Sequence, residues 1–139
     1  MYHPLALPKE HAFALTQPRF QHSLPEDCLP GDATLRRQPV YRIVKSNPPS
    51  SLDFRTHAEL GIATKADPCR RQALSVFSSW REARHRQMNS PHLGRHIAAA
   101  TLTPMHGPIS RPHSSGHMDW WPFHDMLDTN DFEVHAHDH

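Results

Sequence analysis

The sequence predicts an α+β domain, with a small mixed or antiparallel sheet and two short helices, preceded by a disordered Pro-rich N-terminal arm. Three observations point there. Runs rich in β-branched, aromatic or small apolar residues at 40–44, 74–77 and 96–102 alternate with segments that carry helix caps. Eight of the 14 prolines fall within the first 49 residues. The length of 139 residues suits one domain, since domains cluster at roughly 100–150 residues. Hydrophobic content is 37%, below the roughly 45–50% of globular chains, so part of the chain is expected to lie outside a core. The expected division is an arm over 1–38, a domain over 39–134 and a His-rich tail over 135–139.

Within the arm, Pro4, Pro8, Pro18, Pro25 and Pro30 recur every few residues. Each removes a backbone donor and disfavours helix before it. VYRIV at 40–44 reads as a strand, stopped by Asn47-Pro48-Pro49. Ser50 then stands as an N-cap, Asp53 supplies acid in the first turn and Gly61 a C′ glycine, which predicts one helix of about ten residues. Residues 61–71 read as a polar loop. LSVF at 74–77 reads as a second strand. Ser79 and Glu82 form a capping box, each side chain bonding the other's backbone N–H, and open a helix to about Met88. HIAAATL at 96–102 alternates as a strand, and its small residues suit a covered central position. MDWWPF reads as another strand, HDMLD as a helical turn and FEVHAH as a last strand. Tyr41, Ile43, Phe54, Leu74, Val76, Phe77, Ile97, Leu102 and Trp120 are the expected core.

The net charge of +1 conceals an asymmetry. Residues 34–111 carry 13 Lys/Arg against four Asp/Glu, whereas residues 112–139 carry six Asp/Glu, six His and no Lys or Arg. The two regions either neutralise one another or leave the basic part to an anion. Cys28 and Cys69 are too few for a structural zinc site. The first 20 residues contain neither a secretory apolar core nor a membrane span, so a cytoplasmic location is expected. No P-loop, GxSxG, HExxH or glycine-rich nucleotide fingerprint occurs.

Four blocks, YRIVKSNPP at 41–49, LSVF at 74–77, LGRHIA at 93–98 and GHMDW at 116–120, resemble a family of small uncharacterised bacterial proteins. Their last block departs from the family pattern, with Met118-Asp119 in place of Tyr-Thr. By analogy, an arginine on a first strand and a serine on a second is similar to the opening of ADP-ribosyltransferase-like folds, including RES-type toxins. That likeness implies NAD as cofactor, Arg42 on a phosphate or ribose, Ser75 on the nicotinamide ribose and Glu133 at the oxocarbenium-like centre. The alternatives are a surface ion pair for Arg42, a turn-adjacent polar residue for Ser75 and a solvated carboxylate for Glu133.

Other constellations remain. His135, His137 and His139 recur at period two, which places three imidazoles on one strand face. His113 and His117, with Asp119 and His124 close in sequence, combine imidazole and carboxylate in a set suited to zinc or nickel. Arg81, Arg84 and Arg86, beside Trp80, suit a nucleic-acid backbone. A non-catalytic interaction or regulatory protein with a protein partner ranks ahead of the NAD-utilising, nucleic-acid-binding and metal-binding alternatives.

Overall fold

The computed structural model describes residues 20–137. Residues 1–19 of the expected arm, and Asp138 and His139 of the expected tail, lie outside them. The fold is α+β, with one five-stranded antiparallel sheet. Its central strand, β1 (Gln38–Val44), pairs along its whole length with β3 (His96–Leu102). On its other side lies β2 (Leu74–Phe77), then β4 (His117–Trp120) at one edge. The opposite edge is β5 (Glu133–Val134), paired with β3.

Side-chain alternation along these strands builds two packed faces. Val40, Val44, Leu74, Val76, Ala98, Leu102, Met118 and Trp120 form the main core with Phe54 and Phe132. Phe77 and Ile97 stand on the other face with Ala83. Tyr41 and Ile43, expected to be buried, are half-buried there. The remaining seven expected core residues are buried.

Three short α-helices accompany the sheet among the described residues. The expected ten-residue helix after Ser50 is two pieces, a 3₁₀ turn at Ser51–Phe54 and α1 (His57–Leu60). Asp53 causes the break. Its carboxylate accepts from the amides of Lys45 (2.7 Å) and Ser50 (2.9 Å), which ties the turn back to the end of β1. The chain leaves extended through Arg55 and is capped afresh by Thr56 and Glu59. Gly61 ends α1 with φ +68°, as a C′ glycine should. The expected polar loop contains α2 (Pro68–Arg71), with Asp67 as N-cap and proline in the first turn. The Ser79-capped helix is α3 (Trp80–Asn89). Here Glu82 departs from the expected box, because its carboxylate accepts from the Ser78 and Ser79 hydroxyls at 2.7 and 3.0 Å. Ala83 and Gln87, four residues apart, face inward.

Arg42 joins these parts. Its Nε and Nη2 donate to the Asp53 carbonyl at 3.0 and 2.8 Å, its Nη1 to the Ser75 carbonyl at 2.7 Å, and its guanidinium lies 5.4 Å from the Phe54 ring centre. Burial pushes Arg42 down to about 10, partly offset by the charge of Asp53. It therefore stays a cation at neutral pH.

The expected arm is corrected over residues 20–37, which belong to the domain. Phe20 packs on Phe123 at 5.2 Å, Gln21 N–H donates to the Pro122 carbonyl, and Thr34 bridges Ile109, which in turn bridges Trp120. Arg36 donates to the carbonyls of Ile109 and Ser110. Cys28 is disulfide-bonded to Cys69 on α2. Phe20, Leu24, Leu29 and Ala33 pack around Trp121, which is 1% exposed. A proline-rich, aperiodic segment thus finds its stability in an indole that lies some 90 positions away in sequence. The first residue of the expected tail is also tied to the sheet, because the His135 amide donates to the Ile97 carbonyl and its own carbonyl accepts from Trp80 Nε1.

Two outcomes follow from this packing. Under non-reducing conditions, limited proteolysis should leave bonds between residues 20 and 38 as protected as the sheet. Rapid cutting there would show that the segment is not integral. Reduction should lower stability by about 4 kcal/mol by loop-closure entropy, read from denaturant melts with and without reductant, for a bridge spanning 41 positions.

Asp53 makes the stability depend on pH. Burial opposes its charge, yet hydrogen bonds from Ser50, Lys45 and Ser46 outweigh that and hold its carboxyl below the ordinary 3.8. Its stabilisation is therefore complete above that ordinary value and is lost as pH falls through the lower folded value. Asp53→Asn should cost about 1.5–3 kcal/mol at neutral pH, with the gap from wild type closing in strong acid. Equal stability at neutral pH would contradict this role.

Candidate functional site

Alternation along β4 places His117 and Asp119 on the α3 side of the sheet, while Met118 and Trp120 enter the core. The register sets Ser75 opposite Asp119 and Phe77 opposite His117. Ser75 and His117 are then diagonal neighbours, and Ser75 Oγ lies 2.9 Å from His117 Nε2. The imidazole also packs edge-on against Phe77 and stacks on His113. Burial lowers the His117 pKa; the Asp119 charge opposes this, and Arg70, His113 and Arg86 reinforce it. The ring is accordingly neutral at physiological pH.

Asp119 is 6% exposed. Its Oδ2 accepts from Arg70 Nε at 3.2 Å, and its Oδ1 lies 3.8 Å from the same His117 nitrogen that meets Ser75. Serine and carboxylate thus share one edge of the imidazole. In a Ser-His-Asp relay they would occupy its two different nitrogens, so the pair at Ser75 and His117 is not such a triad. Arg70 comes from α2, one residue after the disulfide-bonded Cys69.

These side chains line a groove of about 1220 Å³. Glu82, His85 and Arg86 enter it from α3, and Leu52, Leu60 and Ile62 from the segment after β1. The three aliphatics are 67, 49 and 48% exposed. Six Lys and Arg face four carboxylates in the lining. Each of those carboxylates already has a partner: Asp53 the amides above, Asp67 the Arg70 amide, Glu82 two hydroxyls and Asp119 the Arg70 guanidinium. The remaining field is positive.

Of the Arg42, Ser75 and Glu133 set, Arg42 and Ser75 line this groove and Glu133 does not. The Arg42 guanidinium is nevertheless held by backbone, with Nε and Nη2 on the Asp53 carbonyl and Nη1 on the Ser75 carbonyl. Glu133 is on β5, at the edge farthest from β4, where its exposed carboxylate meets His135 at 3.6 Å. The expected convergence of the three is therefore corrected. The arginines of α3 also divide: Arg86 lines the groove, while Arg81 and Arg84 do not. Arg84 instead donates to Gln87. His135 is sewn to β3, beyond the end of β5, so a shared face with His137 does not form through strand alternation. His124 pairs with Asp125, away from His113 and His117.

Sequence reasoning missed Glu82 as a groove residue, because its cap signature accounted for it completely. His117 was expected as one alternative at the rim of a cleft holding Ser75, whereas the place of Asp119 beside them was missed. The polar-apolar alternation of HMDW was the available signal; the register that brings β4 against β2 was not. No family model, curated relative or solved structure matches the chain.

Proposed function

We propose that the chain is a binding protein for a small phosphate-bearing ligand of the nucleotide class, taken into the groove beside Ser75 and His117. One observation carries the reading: a positive groove combines exposed aliphatics with a polar floor. A ligand with an anionic part and a planar or apolar part satisfies both. The arginines supply charge-assisted donors for phosphate, Leu52, Leu60 and Ile62 an apolar contact, and Ser75, His117 and His113 polar contacts for a sugar. The volume exceeds the roughly 300–1,000 Å³ usual for drug-sized ligands, which suits an extended dinucleotide such as NAD.

Binding without turnover keeps the non-catalytic reading ahead of an NAD-consuming transferase. The carboxylate assigned to the transfer step is Glu133, across the sheet from the groove. The Cys28–Cys69 bridge favours an oxidising compartment over the expected cytoplasmic one, since disulfides persist there. No helix is long and apolar enough to cross a membrane among the described residues.

The test is calorimetric titration with NAD, ADP-ribose, ADP and inorganic phosphate, in excess chelator and at two salt concentrations. Binding of the nucleotides should be tighter than that of phosphate and weaken with salt. Arg86→Ala and Ser75→Ala should each lower affinity on the order of tenfold, about 1.4 kcal/mol. Arg42→Ala should behave otherwise, costing several kcal/mol of stability because the Asp53 and Ser75 carbonyls lose their donor. No heat from any of the four ligands with folded protein would refute the reading. Release of free nicotinamide from NAD would instead restore the transferase.

A further inference from the structure

We infer that His113, His117 and Asp119 form a site for one divalent transition metal of the zinc or nickel class, at the β4 end of the groove. This goes beyond nucleotide binding and rests on a different observation. One ligand atom from each of the three residues lies within 4.8 Å of the others.

The scaffold under these residues is fixed by main-chain bonds. The turn from His113 to His117 is closed by the His113 amide on the His117 carbonyl at 3.0 Å and the Gly116 amide on the His113 carbonyl at 2.8 Å. Gly116 adopts φ +82°, and a Cβ there would collide with the Glu82 carboxylate, so the turn sits directly against α3. His117 and Asp119 are two apart on a paired strand and therefore share a face. The Asp119 backbone is held on both sides by Ser110, its amide donating to the hydroxyl and its carbonyl accepting from the amide.

The donors suit an ion of that class. Two imidazoles and one carboxylate select zinc, nickel or cobalt over magnesium or calcium, which prefer oxygen. His117 Nε2 and Asp119 Oδ1 are 3.8 Å apart. Two metal–ligand bonds of about 2.0–2.1 Å span that distance once the ligands close by a fraction of an ångström. Arg70 holds Oδ2 and leaves Oδ1 facing the imidazole. Ser75 shares the same nitrogen and must yield it when an ion takes it. Arg70 and Arg86 oppose a cation, so the remaining coordination position favours an anion or hydroxide over a neutral group. The tail histidines offer no such framework: His135 is bound by its backbone to β3, and His139 is outside the described residues.

Chelator-stripped full-length protein should be titrated with ZnCl₂ by calorimetry and with CoCl₂ by visible absorption. One zinc per chain, cobalt bands of a nitrogen–oxygen site and a zinc-dependent rise in Tm are expected. His113→Ala changes an exposed side chain and should preserve the fold, while weakening zinc at least about tenfold and abolishing the rise in Tm. Asp119→Asn should do the same, and the His135→Ala/His137→Ala double variant should leave both unchanged. No zinc binding, affinity unaltered in His113→Ala, or affinity lost only in the double variant would each overturn the site. Nucleotide affinity in excess chelator reads the groove separately, so failure of one reading does not imply failure of the other.

Discussion

A guanidinium withdrawn from water must find acceptors, and Arg42 finds three bonds to two carbonyls on different elements. Those carbonyls belong to Asp53 in the turn after β1 and to Ser75 in the middle of β2. The turn therefore cannot continue as a regular helix, and β2 is set beside β1 although the two strands share the single register pair Tyr41–Phe77. The Asp53 carboxylate returns to the Lys45 amide at the end of the same strand. A closed circuit of charge and backbone thus locates β2, and β2 locates β4. The groove inherits its shape from an arginine whose own guanidinium is tied to the backbone.

The sheet was legible because its signals are local. VYRIV, LSVF and HIAAATL are short runs bounded by proline, glycine or a cap, and each became a strand where expected. The helix after Ser50 was misread because cap residues at both ends fit one helix as well as two, and only the return of Asp53 to Lys45 decides between them. The segment 20–37 was misread for a related reason. Its apolar residues have no period of their own, since what they cover is Trp121 and Ala73, distant in sequence.

The site was half legible. Residue types suited to phosphate, sugar and metal were identified, but their grouping depends on strand order and register. Order β4-β2-β1-β3-β5 places Ser75 beside His117 and sends Glu133 to the far edge. The acidic tail and basic middle do not simply neutralise one another. Asp119 from the acidic half takes Arg70 from the basic half, and Asp131 meets His106, yet the groove keeps an excess of cations.

Trp121 lies beneath the N-terminal segment and donates its indole N–H to the Cys69 carbonyl. A chain shortened to begin at Pro39 would lose that cover and the disulfide together. It would present an indole beside Ala73 and the remaining Cys69 thiol, next to the edge strand β4. Exposed apolar surface of this kind is the usual starting point for self-association. The segment therefore acts as a guard against aggregation, and the free thiol would add a covalent route between copies.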